Sequence, residues 1–261
     1  MNLEPLLEQL LLLALVFLRI ATALVVMPFF GYRGLPQTVK VGLSAFLAYL
    51  LLPGVAAPTA LNQQPVGVFA FASVALPEIA SGLLIGLVTG FIFYGVELAG
   101  QFLGLQMGFG IVSVIDPQTE EQVSIIAQLQ YLFAILIFIT FNGHHFLISG
   151  LAQTFHSIPL GGAHFPAGIA ELMIRLSGDI FTAAVKIAAP VMAALFLSEV
   201  ALSIVARTVP QMNIFIIGFP LKIGVGLLGL ALTFPMLSYV LQKIWQTFET
   251  QWAQFIALLG R

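Results

Sequence analysis

Histidine and serine are the residues of this sequence best suited to catalysis, and their spacing argues against that role. Four histidines occur, but His144 and His145 are adjacent, so a helix would not give them the i, i+4 spacing of a zinc pair. Ser149 stands outside any Gly-x-Ser-x-Gly turn and has no base in helical register. The chain has no cysteine, which excludes thiolate nucleophiles and thiolate metal sites. The sequence therefore predicts no catalytic, metal-binding or cofactor-binding site.

Charged residues inside apolar runs are the stronger chemical signal, because each would cost about 2.5–3.5 kcal/mol if it faced lipid. Two interpretations are open: ion pairs between helices or subunits, or a path for protons or substrate. Basic residues and carboxylates occur in similar numbers and form no carboxylate relay, which favours ion pairs. The residues are Arg19, Glu97, Lys186, Glu199 and Lys222.

The spacing of these charges limits their partners. Lys186 and Glu199 are 13 residues apart, which places them on nearly opposite faces of one helix. They cannot pair with each other. We expect Lys222, in the next apolar run, to be buried against a carboxylate, either Glu199 or one from a neighbouring subunit.

The stretch from Leu105 to Pro117 is an unusual connection between two apolar runs. Gly108 and Gly110 favour irregular backbone, residues 111–115 are almost all apolar, and the Asp116-Pro117 step ends any helix. Loops in water are seldom so apolar, and irregular backbone cannot face lipid. We therefore expect this loop to line a cavity or to close a pore.

The elements that must position these residues are membrane-spanning helices. The chain is 60% hydrophobic and 8% charged, and its mean hydropathy is +1.07. A helical span needs about 20 largely apolar residues. Hydropathy predicts six crossings, and we expect Pro190 to divide the fifth run, which is too long for one straight span. The runs cover residues 10–30, 39–52, 78–104, 123–141, 169–206 and 214–241.

Two further segments have a recognisable pattern. Residues 142–168 combine polar groups with turn residues, which predicts a short amphipathic element followed by a turn-rich connection. Residues 242–261 carry aromatic side chains at intervals of three or four, which predicts a helix at an interface or against a partner. These aromatic residues are Trp245, Phe248, Trp252 and Phe255.

Glycines at four-residue intervals mark one face of the third run. Gly82, Gly86 and Gly90 would form a groove that lets another helix approach closely. That helix could belong to this chain or to another subunit.

Several motifs, in order along nearly the whole chain, resemble one family. The resemblance is to the FliR/SctT export-gate proteins of type III secretion, and in detail to their flagellar branch, FliR. Its most specific element is Pro210-Gln211 followed by Gly218-Phe219-Pro220. The other segments that carry it are residues 28–36, 104–108, 116–117, 141–144, 154–161 and 206–217.

The resemblance implies a protein that is not an enzyme. It implies a core subunit of the flagellar type III protein export gate, the channel through which unfolded flagellar proteins cross the inner membrane. One copy of this chain would join five copies of FliP and four of FliQ in membrane lipid, with FlhB around the closed assembly and FlhA beneath it. The sequence contains no basic stripe, and we expect no nucleic-acid partner.

The resemblance also implies an architecture. The fold would be an all-α, polytopic membrane protein with broken helical hairpins. Residues 1–165 would form a FliP-like part that includes the plug loop, and residues 166–261 a FliQ-like hairpin with an amphipathic tail. The assembly would lie in the flagellar basal body, partly raised towards the periplasm.

The family's pore-plugging loop coincides with the apolar connection described above. Two positions that are bulky aromatics in some relatives are Ile111 and Val114 here, so the plug would be aliphatic. Asp116 and Pro117 would terminate it. The implied plug residues are Gly108, Phe109, Gly110, Ile111, Val112, Ser113, Val114 and Ile115.

A proton-coupled secondary transporter is the alternative. Such a protein would need an inverted repeat and a substrate site at unwound helices. The sequence offers only a short echo between residues 33–37 and 207–211, each of which reads Arg-x-x-Pro-Gln.

Overall fold

A computed structural model describes residues 4–31, 35–55, 68–109, 124–209, 211 and 213–260 of the 261-residue chain. All the regular secondary structure in these residues is helical. The predicted all-α, polytopic fold is therefore confirmed. The helices are α1 (Glu4–Val26), α2 (Pro28–Gly31), α3 (Gln37–Leu51), α4 (Val68–Met107), α5 (Ile125–Thr140), α6 (Gly143–Ser157), α7 (Ala167–Thr208) and α8 (Ile214–Leu259), with a 3₁₀ turn at Leu52–Gly54.

The number of spans differs from the six predicted by hydropathy. In the described residues, α1, α4, α7 and α8 are long and apolar enough to cross a membrane, and α5 with α6 forms a pair bent by 72° that could supply a fifth. The second apolar run forms only the 15-residue α3. At 1.5 Å per residue this helix is about 22 Å long, short of a hydrocarbon core about 30 Å thick.

The predicted break at Pro190 is wrong. Helix α7 continues through Pro190 for 42 residues, and α8 likewise contains Pro220 and Pro235. A proline removes one backbone donor, but membrane helices tolerate this loss where neighbouring groups satisfy the freed carbonyl. The third apolar run starts earlier than predicted, because residues 68–77 form the start of the 40-residue α4, which contains Pro77.

One compact unit consists of residues 1–91, 141–176 and 248–261. Here α1 and α4 pack at the predicted glycine groove. A Cβ on Gly82 would collide with Thr22 and with the carbonyl of Arg19, and one on Gly86 would lie 2.6 Å from the Cβ of Val26. Close approach at these two glycines is therefore confirmed, and the helix that fills the groove belongs to this chain.

The aromatic face of the tail is buried in the same unit. Phe248, Trp252 and Phe255 are at most 3% exposed. The Trp252 ring lies 3.0 Å from the position of a Cβ on Gly150 and contacts Phe146 in helix α6. The prediction of an interface or partner helix is therefore wrong for these three residues: periodicity identified the buried face, but α6 of the same chain packs on it at Phe248 and Trp252.

The other compact unit consists of residues 92–140 and 177–247. Gly100 of α4 packs on Ala127 of α5, and Gly229 of α8 packs on Val191 of α7. The ring of Phe138 lies 5.3 Å from that of Trp245. The two units divide the chain by packing, whereas the predicted boundary at residues 165 and 166 concerns likeness to other subunits and stays a prediction.

The region 142–168 has the predicted form. Helix α6 is 15 residues long and begins after Asn142, whose φ of 57° is left-handed. Turns follow it, with a second left-handed residue at Gly161, where φ is 72°. The amphipathic element and the turn-rich connection are confirmed.

Candidate functional site

Most of the predicted plug lies outside the described residues. Gly108 and Phe109 are described, and they directly follow the 40-residue α4. The structure places no other member of the loop, so the role of the loop stays a prediction. The plug residues and terminators outside the described part are Gly110, Ile111, Val112, Ser113, Val114, Ile115, Asp116 and Pro117.

The base of the loop begins with a left-handed glycine. Helix α4 continues to Met107, three residues beyond the predicted end at Gly104, and stops at Gly108, where φ is 93°. The Gly108 N–H donates to the carbonyl of Leu105 (3.1 Å), and the Phe109 N–H donates to the carbonyl of Gly104 (3.0 Å). These two bonds close the helix end and satisfy its last carbonyls.

Helix α8 holds this end of the loop in place. A Cβ on Gly108 would lie only 2.6 Å from the Phe219 ring, so the ring lies against bare backbone. One residue earlier, the buried Met107 side chain packs on Gly226, with its atoms 2.7 Å from the position of a Cβ there. Two glycines thus let α4 and α8 approach closely where the loop leaves the helix.

The far end of the loop returns to the same glycine. Ser124 packs directly on Gly104, the residue whose carbonyl binds Phe109. The Ser124 hydroxyl accepts from the Ile126 N–H (3.3 Å), and its carbonyl accepts from the Gln128 N–H (3.0 Å), so Ser124 starts helix α5. Phe109 and Ser124, the described residues on either side of the loop, therefore both contact Gly104 of α4.

A buried ion pair that the sequence analysis missed lies in the first unit. Arg19 of α1 and Glu78 of α4 form two bonds, of 2.6 Å from Nε and 3.0 Å from Nη2, and both side chains are fully buried. By hydropathy the third apolar run begins at residue 78, which makes Glu78 a boundary residue. The apolar residues 68–76, which precede Glu78, were the sequence signal that the helix starts earlier and that Glu78 lies inside it.

Backbone groups complete the coordination of this pair. The Nη1 atom of Arg19 donates to the carbonyls of Thr154 (3.3 Å) and Ile158 (3.1 Å) at the C-terminal end of α6. Glu78 accepts a further bond from the Gly161 N–H (2.8 Å). The Arg19 guanidinium also lies 4.5 Å from the centre of the Phe155 ring. The cation thus satisfies helix-terminal carbonyls, and the pair joins α1, α4, α6 and the following turn.

A second ion pair joins the two residues that the sequence predicts, but it is partly exposed instead of buried. The Nζ atom of Lys222 in α8 donates to Oε1 of Glu199 in α7 at 2.9 Å, which confirms the pairing. The side chains are 21% and 60% exposed, so the predicted burial is wrong within this chain. One bond also leaves hydrogen-bonding capacity on both groups.

Glu97 and Lys186, the other selected charges, make no ion pair with any described residue. Glu97 is partly buried on α4, and Lys186 is exposed on α7. The histidines likewise form no metal-binding cluster with other His, Asp or Glu side chains in the described ranges. His144 instead stacks near Phe29 and His145.

Comparison with known proteins gives one consistent result. The chain matches the bacterial export proteins, family 1, over residues 10–248. It is similar to the flagellar biosynthetic protein FliR of Bacillus subtilis, at 36% identity over 94% of this chain and 95% of the relative. The protein of the same name from Escherichia coli is 32% identical over 85% of this chain and 83% of the relative. The one from Aquifex aeolicus is 30% identical over 95% of both chains.

Proposed function

Because this chain belongs to family 1 of the bacterial export proteins, we propose that it is a core subunit of the flagellar protein export gate. The observation that carries the proposal is the match across residues 10–248, together with relatives named as flagellar biosynthetic proteins that align over most of their length. The long apolar helices make it a membrane protein, and a flagellar export role fits the inner membrane.

The gate acts through the loop that follows α4. Its base is fixed, because Gly104 contacts both the residue that enters the loop and the residue that leaves it. Its sequence from Ile111 to Ile115 is apolar except for Ser113. Apolar side chains at a constriction exclude water and ions, and a fixed base confines displacement to the loop when an unfolded polypeptide passes.

The chain works as one member of a larger assembly. One copy combines with five copies of FliP and four of FliQ to form the channel, with FlhB and FlhA as neighbours and part of the assembly raised towards the periplasm. The C-terminal helices support this proposal, because only 28% of the span window of α7 and 17% of that of α8 are buried by the chain itself, compared with 61% for α4. Surface of that extent is available for other subunits.

Cross-linking to an exported protein tests the gate. The chain has no native cysteine, so Ile111→Cys or Val114→Cys places a single thiol in the loop. An export substrate stalled in the channel and carrying one cysteine is expected to form a disulfide with either variant. Leu136→Cys is the matched control, because Leu136 is 59% exposed on the α5 helix that follows the loop. Equal cross-linking at all three positions, or none in the loop, would contradict the gate assignment.

A further inference from the structure

Of the six intramembrane charges discussed above, two form no ion pair with a described residue. Glu78 and the five charges selected from the sequence make three cations and three carboxylates. Arg19 pairs with Glu78, and Lys222 pairs with Glu199. Lys186 and Glu97 form no ion pair with a described residue, although α4 and α7 pack nearby at Gly95 and Ala183.

Lys186 stands in the middle of an apolar helix. It is 19 residues after the start of α7 and 22 before its end, and its side chain is exposed. Its neighbour Val185 is 53% exposed on the same helix. An ammonium group that faces hydrocarbon is costly, so a compensating group beyond the described residues is required unless water reaches it.

A second observation comes from the cavity that Lys186 lines. Gln130 of α5 lines the same cavity and is only 3% exposed, yet its amide oxygen has no hydrogen-bond partner among the described residues. Pro190 lies there too and has no N–H to donate to the carbonyl of Lys186, four residues earlier. Buried polar groups are normally paired, so this cavity lacks some of its polar partners.

We propose that the Lys186 cavity receives a carboxylate carried by a membrane-spanning helix of a partner subunit. The inference rests on the proposed function, since it takes the chain to be one member of a hetero-oligomeric gate. An ammonium group donates three hydrogen bonds, so Lys186 can serve both the incoming carboxylate and the Gln130 amide oxygen. The Gln130 amide nitrogen can donate to the same carboxylate. One acidic side chain on an apolar helix therefore satisfies the charge and the orphaned amide together.

Substitution at Lys186 separates this role from general packing. The chain is co-expressed with the other gate subunits of the same bacterium, and the hetero-oligomer is quantified in mild detergent by native mass spectrometry. Lys186→Met keeps the length of the side chain without its charge and is expected to reduce the complex about tenfold or more, because the partner's carboxylate stays buried and unpaired. Lys186→Arg is expected to retain it within about twofold. Val185→Met, the matched control on the next exposed residue, should leave the yield unchanged.

A charge exchange identifies the partner. Lys186→Glu is expected to abolish the complex, and changing one intramembrane carboxylate of a partner subunit to lysine is expected to restore it. Glu97→Gln tests whether Glu97, which forms no ion pair with a described residue, is the source of the carboxylate. If this variant lowers the yield as Lys186→Met does, and no charge exchange in a partner subunit restores the complex, the inference is overturned.

Two further results would also reject the inference. A full yield of complex from Lys186→Met would show that the cation needs no partner. Rapid labelling of Lys186→Cys by a membrane-impermeant maleimide in the assembled gate would show that water, not a carboxylate, surrounds it. If the unsubstituted chain forms no hetero-oligomer, the proposed function is overturned and this inference with it. If the unsubstituted complex is intact and either the Lys186→Met or the Lys186→Cys result above is observed, only the inference is overturned.

Discussion

The two ion pairs found among the described residues differ in what they require from outside the chain. Arg19 and Glu78 are fully buried, and they bind each other and backbone groups of the same compact unit. These groups are the carbonyls of Thr154 and Ile158 and the N–H of Gly161. Lys222 and Glu199 share one hydrogen bond, and the carboxylate is 60% exposed. The first pair is complete in the isolated chain. The second keeps donors and acceptors available for other molecules.

This difference matches the burial of the helices that carry the pairs. More than half of the span window of α4, the helix of Glu78, is buried by the chain, compared with less than a third of that of α7, the helix of Glu199. A pair inside packed helices can only stabilise the chain's own fold. A pair at an uncovered face can also contribute to assembly, which is the role that the proposed function requires.

Breaking the buried pair should have the largest effect. Glu78→Ala leaves Arg19 charged and buried without its carboxylate, which costs about 3–5 kcal/mol in comparable cases. We expect the isolated chain to lose that much free energy of unfolding in detergent, measured by denaturant titration of its helical circular dichroism. A loss below about 1 kcal/mol would contradict the claim that the pair joins the helices of this unit.

A double substitution provides the control. Replacing both charges with apolar residues, Arg19→Met with Glu78→Leu, removes the unpaired charge as well as the pair. Such replacements are often neutral or stabilising, so we expect the double variant to be more stable than Glu78→Ala. Equal losses in the two variants would assign the effect to packing rather than to the buried charge.

Glycine substitutions test the same contrast between packed and uncovered helices, and we expect their effects on stability to be intermediate. A Cβ on Gly82 would collide with Thr22 and the Arg19 carbonyl, whereas a Cβ on Gly224 meets nothing within 4 Å. We expect Gly82→Ala to destabilise the isolated chain by about 1–3 kcal/mol, because α1 and α4 must separate. Gly224→Ala should be neutral or stabilise by up to about 1 kcal/mol, because alanine favours the helix. Thermal unfolding of both variants tests the difference, and a reversed order would contradict it.

The sequence predicted the helical architecture, the close packing at Gly82 and Gly86 and the partners Lys222 and Glu199, because these depend on local pattern or on neighbouring helices. It missed Glu78, whose partner Arg19 lies 59 residues away. Hydropathy treats a charge as the end of an apolar run, although a distant cation can neutralise it inside one. The break expected at Pro190 failed for a similar reason: the rule describes an isolated helix, and packing overrides it.

The tail shows the limit of periodicity in another way. The spacing of Phe248, Trp252 and Phe255 correctly identified one buried face, but nothing in the spacing specified what would cover it. Helix α6 lies about a hundred residues earlier in the sequence and supplies Gly150 as the point of contact. A pattern within one helix fixes which side is apolar, whereas the identity of the covering element depends on the whole fold.

Breaking the exposed pair should have the smallest effect on the isolated chain and a larger one on the assembly. Lys222→Ala removes one bond at a site where water reaches Glu199 in detergent, so we expect a loss of about 0–1 kcal/mol in free energy of unfolding. In the hetero-oligomer a partner subunit would exclude that water, and the same substitution would then leave Glu199 unpaired in a buried site. We therefore expect Lys222→Ala to lower the yield of complex much more than the stability of the chain, and Lys222→Arg to do so less. Equal effects on the two measurements would mean that no subunit covers the pair, and the contrast between a self-sufficient ion pair and one completed by assembly would fail.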